Sequence, residues 1–123
     1  MIVGIGIDLV EIEKIAKDIH SDVYLRKVFT EAEISVCKTF SNSAEHFAGK
    51  FAAKEAFMKA IGNGINQGVW FTQIEVLNRK NGQPFIKATG KAEILLNEMG
   101  VKNTHISITH TKKTAAALII LEV

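Results

Sequence analysis

The stretch from Phe51 to Ala60 constrains the fold most, because it combines strong helix formers with an acid in an apolar row. Ala, Lys, Glu, Met and Phe fill it, and neither glycine nor proline interrupts it. Glu55 follows Phe51 by four residues and Ala52 by three, so it continues a row of small and apolar side chains. A buried carboxylate without a partner is costly, so this one predicts a nearby cation or hydrogen-bond donor.

The N-terminal run from Ile2 to Val10 predicts a buried strand that carries a second acid. Gly4 and Gly6 alternate with isoleucine, so one face of the strand lacks side chains and lets another backbone or a ligand approach closely. Asp8 interrupts the apolar run. Two acids in two apolar elements indicate a metal site or a catalytic site.

Length, charge and cysteine content exclude several classes of protein. The 123 residues predict one domain, 1–123, that is large enough to bury a core. A net charge of +2 is not the basic footprint of a nucleic-acid-binding protein. The one cysteine, Cys37, allows neither an intramolecular disulfide nor a cysteine-based zinc site. The apolar N-terminal run is too short to span a membrane, so we expect a cytoplasmic protein.

The order of the predicted elements indicates an α+β fold. Helices are predicted at residues 11–20, 22–29, 31–38, 44–61 and 91–99, and strands at 1–10, 74–78, 84–88, 105–110 and 115–123. Thr30 and Glu33 have the spacing of a capping box, and Asn81-Gly82 is typical of a hairpin turn. We expect a mostly antiparallel sheet of about five strands packed against the long helix, with the last strand in the centre.

Asp8 and Glu55 each have an ordinary structural interpretation. Asp8 can cap the helix that follows its strand, and Glu55 can form a surface ion pair with Lys59, one turn later. Considered together beside the glycine face, the two acids favour a shared divalent cation. Two carboxylates in a chain with one cysteine and few histidines suit magnesium better than zinc. Magnesium held in this way completes its shell with waters and substrate phosphates.

Two lysines and a histidine are candidates for phosphate binding. Lys50 and Lys54 lie four residues apart on the long helix, where a like-charge pair indicates either a solvated face or an anion-binding edge. His110 ends an alternating strand between two threonines, and it is either a phosphate ligand, a proton relay or an exposed side chain. The segment Gly62–Gly64 predicts a left-handed end of the long helix.

Three blocks of the sequence resemble the signature blocks of the holo-acyl-carrier-protein synthase family, the small bacterial type of 4′-phosphopantetheinyl transferase. The blocks are Gly6–Ile12, Phe51–Ala60 and Ile106–His110, and their order and spacing also match. The middle block is the most specific of the three. The resemblance covers essentially the whole chain and implies the fold of that family.

The resemblance implies an enzyme that transfers the 4′-phosphopantetheine arm of coenzyme A to a serine of apo-acyl carrier protein, in fatty acid biosynthesis. Adenosine 3′,5′-bisphosphate is then the leaving group. Asp8 and Glu55 would be the magnesium ligands, and Lys59 would stabilise the pyrophosphate. The general base stays open among a water, a carboxylate and Lys59. The implied coenzyme A contacts are Lys50, Lys54, Gly62, Gly64, Pro84, Thr109 and His110.

The resemblance also implies an acidic protein partner and an assembly. Lys14 stands where the family often has an arginine, and it is a candidate contact for acyl carrier protein. The other candidate contacts are Lys17, Arg26 and Lys27. Family members are homotrimers with active sites between subunits, which agrees with a hydrophobic content of 47% in so short a chain.

The residues alone leave two other functions open. One is a magnesium-dependent nucleotide phosphohydrolase, which needs no protein acceptor. The other is a non-catalytic module that binds a nucleotide or an acidic protein, and its binding would survive the loss of Asp8.

Overall fold

The computed structural model describes residues 1–123, which form five helices and five strands in an α+β arrangement. The strands are β1 (Ile2–Glu11), β2 (Ile74–Asn78), β3 (Pro84–Ala88), β4 (Asn103–His110) and β5 (Thr114–Glu122). The helices are α1 (Ile12–Asp18), α2 (Asp22–Val28), α3 (Glu31–Lys38), α4 (Ser43–Ala60) and α5 (Gly90–Glu98). Two 3₁₀ turns, Gly64–Gln67 and Phe71–Gln73, connect α4 to β2. Each predicted helix and strand is confirmed to within two residues at either end.

The five strands form two antiparallel sheets. In the larger sheet β5 lies between β1 and β4, which confirms the central position predicted for the last strand. The smaller sheet is the hairpin of β2 and β3, with Gly82 in the left-handed conformation at its turn. The number of strands and their antiparallel pairing agree with the sequence prediction, whereas the strands are divided between two sheets instead of one.

The free edge of β2 is bonded by buried side chains instead of by a further strand. Lys54 donates to the carbonyl oxygen of Ile74 at 2.6 Å, and Lys50 donates to that of Val76 at 2.7 Å. Glu33 accepts the amide hydrogen of Val76 at 2.8 Å. These bonds use the backbone groups that another strand would need, so the smaller sheet ends at β2.

Side chains and backbone conformation set the ends of the helices. Ser21 accepts the amide hydrogen of Tyr24 at the start of α2, and Thr30 and Glu33 form the predicted capping box of α3. The segment Gly62–Gly64 ends α4 as predicted, with Gly62 and Asn63 in left-handed conformations. No helix has the length and apolar character that crossing a membrane requires.

Gly4 and Gly6 let α4 lie directly against β1. A methyl group at Gly6 would overlap the carbonyl oxygen of Ala56, and one at Gly4 would overlap that of Ala60. The strand face without side chains therefore accommodates the helix backbone, as the alternation of glycines predicted. Asp8 is the next residue on the same strand face, so this close approach sets its position relative to α4.

The opposite face of the larger sheet is apolar and uncovered. Ile5, Ile7 and Leu9 of β1 are 63%, 65% and 68% exposed. The strand register pairs Ile5 with Ile120 and Ile7 with Leu118 of β5, which extends the apolar surface across the sheet. A continuous exposed apolar surface of this kind is typical of a protein–protein interface.

Candidate active site

Asp8 and Lys59 join β1 to α4. The ammonium group of Lys59 donates to Oδ1 of Asp8 at 3.0 Å and to the carbonyl oxygen of Ile7 at 3.0 Å. The side chain of Asp8 is mostly buried, whereas that of Lys59 is more than half exposed. The alternative interpretation of Lys59 as an ion-pair partner of Glu55 is therefore wrong. Asp8 is also not a helix cap, because Glu11 precedes α1 and makes no side-chain cap.

Glu55 is half-buried beside this pair without a partner of its own. The hydrogen bonds of Lys59 go to Asp8 and Ile7, and none goes to Glu55. Burial raises the pKa of the Glu55 carboxyl, and the charge of Asp8 raises that pKa further, while Lys59 and Lys14 oppose both effects. Two acids that repel each other beside a lysine form a site that a divalent cation would stabilise.

A cleft of about 380 Å³ opens beside Glu55 and Lys59. Gly64 lines this cleft as predicted, together with Met58, Asn63 and Ile65. Gly62, the other glycine predicted to contact coenzyme A beside α4, does not line this cleft. It lies in open space, where an added methyl group would meet no neighbouring atom. The sequence analysis missed Met58, Asn63 and Ile65. Met58 borders the cleft from α4 itself, and the left-handed segment at the end of α4 brings Asn63 and Ile65 beside it.

A second cleft, of about 160 Å³, lies between α4, β4 and the hairpin. Three of the predicted coenzyme A contacts line it, namely Lys50, Pro84 and His110. The other lining residues are Glu45, His46, Gly49, Asn78, Gly82 and Ile108. Thr109 does not line this cleft, because the alternation of β4 turns it to the uncovered sheet face.

Lys50 and Lys54 are buried, so the solvated helix face considered for them is wrong. Lys54 is 0% exposed, and its ammonium group bonds to Glu33 at 2.8 Å and to the carbonyl oxygens of Phe71 and Ile74. An ammonium group has three donors, so none is left for a phosphate, and the structure contradicts a contact between Lys54 and coenzyme A. Burial lowers the pKa of both lysines, and Glu33 opposes that effect on both.

The basic residues predicted to contact a carrier protein lie on α1 and α2, and all are exposed. Three of them pair with neighbouring acids: Lys14 with Asp18, Lys17 with Glu13, and Arg26 with both Asp22 and Glu31. Lys27 forms no ion pair. Exposed pairs of this type are weak, so these cations stay available to an acidic partner.

The geometry defines a small α+β protein in which two acids and a lysine converge between a strand and a helix, with a separate basic cleft nearby. A family profile described as the 4′-phosphopantetheinyl transferase superfamily matches residues 4–118. The chain therefore belongs to that superfamily.

Named relatives and solved structures agree with this assignment. A holo-[acyl-carrier-protein] synthase of Halothermothrix orenii is 43% identical over 99% of this chain and 98% of its own. The crystal structure of a holo-(acyl-carrier-protein) synthase from Bacillus anthracis, in complex with CoA (3′,5′-ADP), is 39% identical with a TM-score of 0.81, and the match covers 98% of this chain and 96% of that one. The holo-[acyl-carrier-protein] synthase of Neisseria meningitidis is 28% identical with a TM-score of 0.89 and full coverage of both chains.

Proposed function

We propose that this chain transfers 4′-phosphopantetheine from coenzyme A to a serine hydroxyl of apo-acyl carrier protein. The observation that carries the proposal is the unpartnered carboxylate of Glu55 beside Asp8 and Lys59, in a member of this superfamily. In the reaction, the serine oxygen forms a bond to the phosphorus that carries the pantetheine arm. The pyrophosphate bond to that phosphorus breaks, adenosine 3′,5′-bisphosphate leaves, and the serine proton is released.

Asp8 and Glu55 fit a magnesium ion. Both offer hard oxygen ligands, Glu55 makes no competing hydrogen bond, and their mutual repulsion is relieved by a cation between them. Two carboxylates are the usual protein share of a magnesium shell that substrate phosphates complete. A bound magnesium ion would supply Lewis-acid stabilisation of the charge that develops on the pyrophosphate.

Lys59 acts in this proposal as a fixed positive charge. Its ammonium group donates to Asp8 and to the carbonyl oxygen of Ile7, which sets its position between β1 and α4. The exposed part of the side chain faces the cleft that Glu55 and Gly64 line. A pyrophosphate in that cleft would meet the ammonium group without any rearrangement of the protein, which is the condition for effective electrostatic catalysis.

Coenzyme A would use both clefts, in different subunits of a homotrimer. Lys50, Pro84 and His110 line the basic cleft, which suits the 3′-phosphate end, and Gly64 borders the cleft of Glu55. Each cleft alone, at about 160 and 380 Å³, is small for a ligand of the size of coenzyme A, which favours a binding site that combines the two. The uncovered sheet face of Ile5, Ile7 and Leu9 provides the surface on which copies of the chain would assemble and bring the two clefts together. Thr109 and Gly62 stay predictions as coenzyme A contacts.

The carrier protein would dock on α1 and α2. Lys14, Lys17, Arg26 and Lys27 are exposed there, and an acidic partner would exchange their weak local pairs for pairs across the interface. The charge of Lys14 also acts on Glu55, so this surface lies next to the proposed reaction centre. We further propose that residues 1–123 form one catalytic domain and that it works in the cytoplasm.

Incubation with coenzyme A, magnesium and apo-acyl carrier protein tests the proposal. Mass spectrometry should show the carrier heavier by one phosphopantetheine group, and adenosine 3′,5′-bisphosphate should accumulate in equal amount. Cleavage of coenzyme A at the same rate without a carrier would instead identify a phosphohydrolase. An unmodified, competent carrier and intact coenzyme A would contradict any catalytic function.

A further inference from the structure

The formal charges that line the basic cleft cancel when its histidines are neutral, so the cleft carries a net positive charge only when a histidine is protonated. Lys50 provides one positive charge, and Glu45 provides one negative charge. Lys50 donates to the carbonyl oxygen of Val76 at 2.7 Å and to Oδ1 of Asn78 at 3.1 Å, so most of its donors are used within the protein. A phosphate dianion therefore finds little net attraction in the cleft unless a further cation is present.

His46 and His110 are the groups that can provide this cation. Nδ1 of His110 lies 3.6 Å from the carboxylate of Glu45. His46 lies one turn before Lys50 on α4, and its ring is stacked on Phe40 with centroids 3.8 Å apart and planes inclined by 17°. The stack places the imidazole at the wall of the cleft that His46 lines.

The surroundings of His46 favour its neutral form in the empty cleft. Burial lowers its pKa most, and the positive charges of His110 on β4 and Lys50 on α4 lower it further, whereas Glu45 on α4 raises it. A phosphate bound among these groups adds negative charge, which favours the protonated imidazole. Binding of a phosphate and protonation of His46 therefore support each other.

We propose that His46 gives this cleft a pH-dependent preference for ligands that carry a 3′-phosphate over the same ligands without it. The inference rests on the proposed function only in assigning the phosphate to the 3′ position of coenzyme A. The sequence resemblance did not point to His46, whose role follows from its stack on Phe40 and its place beside Lys50 and His110.

The direction of the pH dependence follows from linkage. The phosphate-bound cleft holds more protons than the empty cleft, so affinity for the phosphate-bearing ligand rises as the pH falls. Uptake of one proton contributes at most tenfold per pH unit. The range from pH 8.0 to about pH 6.5 is suitable, because a phosphate monoester, with a second pKa of about 6, is still mostly dianionic there.

Calorimetric binding of coenzyme A and 3′-dephospho-coenzyme A, in magnesium and without a carrier, tests the proposal. The preference of the unaltered protein for coenzyme A should rise about three- to tenfold from the upper to the lower end of that pH range. In His46→Gln this rise should fall to less than about half of that in the unaltered protein. His20→Gln is the matched control, because His20 is exposed and lies outside the cleft, and it should keep the full rise.

An NMR titration of the His46 ring in the unaltered protein gives an answer that does not depend on a variant. Its pKa should rise when coenzyme A binds and stay low when the dephospho ligand binds. Two results would overturn the inference. One is a preference for coenzyme A that rises equally in His46→Gln and in the unaltered protein as the pH falls. The other is a His46 pKa that does not change when coenzyme A binds. Either result combined with intact transfer to the carrier leaves the proposed function standing, whereas absence of transfer contradicts the proposed function itself.

Discussion

Lys59 and Asp8 are joined by a hydrogen bond of 3.0 Å that links the C-terminal half of α4 to the middle of β1. The two residues are 51 positions apart in the sequence, and Gly6 allows the strand and the helix to come this close. The pair leaves Glu55 unpartnered on the same helix, next to a second acid. The proposed chemistry depends on this arrangement.

Lys59 is expected to act through its charge. Because its ammonium group is a donor to both Asp8 and Ile7, Lys59→Arg should keep measurable transfer, whereas Lys59→Gln should lose about 100-fold or more in kcat. Initial rates over a range of pH values separate this role from that of a general base. A Lys59→Arg variant as inactive as Lys59→Gln, at every pH, would contradict a purely electrostatic role.

Gly6→Ala should weaken both the fold and the site. The added methyl group overlaps the carbonyl oxygen of Ala56, so α4 must move away from β1 at a cost of about 1–3 kcal/mol. Asp8 then moves relative to Glu55, and transfer should fall even at temperatures where the variant is fully folded. Gly100→Ala is a control for lost stability alone: the left-handed φ of 75° strains an alanine there, but its methyl group meets no close atom, so this variant should lose stability without losing transfer. A folded Gly6→Ala variant with full activity would show that this contact does not position Asp8.

The buried pair of Lys54 and Glu33 is expected to stabilise the hairpin. Lys54→Met leaves Glu33 buried without its cation and should cost about 3–5 kcal/mol in the free energy of unfolding. The double variant Glu33→Gln/Lys54→Met should lose less than the sum of the two single variants, because the unpaired charge is gone. Urea unfolding of all four proteins measures this coupling, and strict additivity would mean that the pair contributes nothing as a pair.

The uncovered sheet face is expected to hold an oligomer together. Ile7→Asp places a charge in the middle of this face and should convert the proposed trimer into monomers. Light scattering after size-exclusion chromatography reports the mass of each species. Ile94→Asp on α5 is the matched control, because Ile94 is also exposed but lies away from the sheet face, and its assembly should be unchanged. A monomeric unaltered protein would contradict the proposed assembly.

The sequence predicted the order and bounds of the elements well, since local patterns determine them. The capping box of Thr30, the left-handed segment after α4 and the glycine face of β1 are local features, and each appears as expected. The division into two sheets was not predicted, because the pattern within β3 and within β4 does not show whether these two strands pair with each other. The bonds from Lys50, Lys54 and Glu33 to the outer edge of β2 also come from distant parts of the chain.

The lysines of α4 show where sequence reasoning was limited. Lys50 and Lys54 follow Phe47 and precede Phe57 at helical spacing, so they lie on the buried face and not on a solvated one. That spacing was a readable signal, but charge alone favoured exposure. His46 was missed for a different reason, because only the fold brings it beside His110 on β4.

Glu55→Gln tests the claim that Glu55 and Asp8 form the metal site. The pH dependence of the stability of this variant follows from the pKa of Glu55. Burial and Asp8 raise the pKa of Glu55 above that of the unfolded chain, so this group stabilises the fold at low pH and loses that effect as the pH rises through the raised pKa. At neutral pH the metal-free variant should therefore be at least as stable as the unaltered protein. As the pH falls toward 4.5, the ordinary pKa of the carboxyl, the free energy of unfolding of the unaltered protein should rise relative to that of Glu55→Gln.

The most direct measurement is the mass of apo-acyl carrier protein after incubation with coenzyme A, magnesium and either the unaltered protein or Glu55→Gln. The unaltered protein should add one phosphopantetheine group to the carrier, and the folded variant should be slower by more than about 100-fold, because it lacks one of the two carboxylates proposed to hold the ion. A folded Glu55→Gln variant that modifies the carrier at the full rate would contradict the assignment of Glu55 and Asp8 as the metal site.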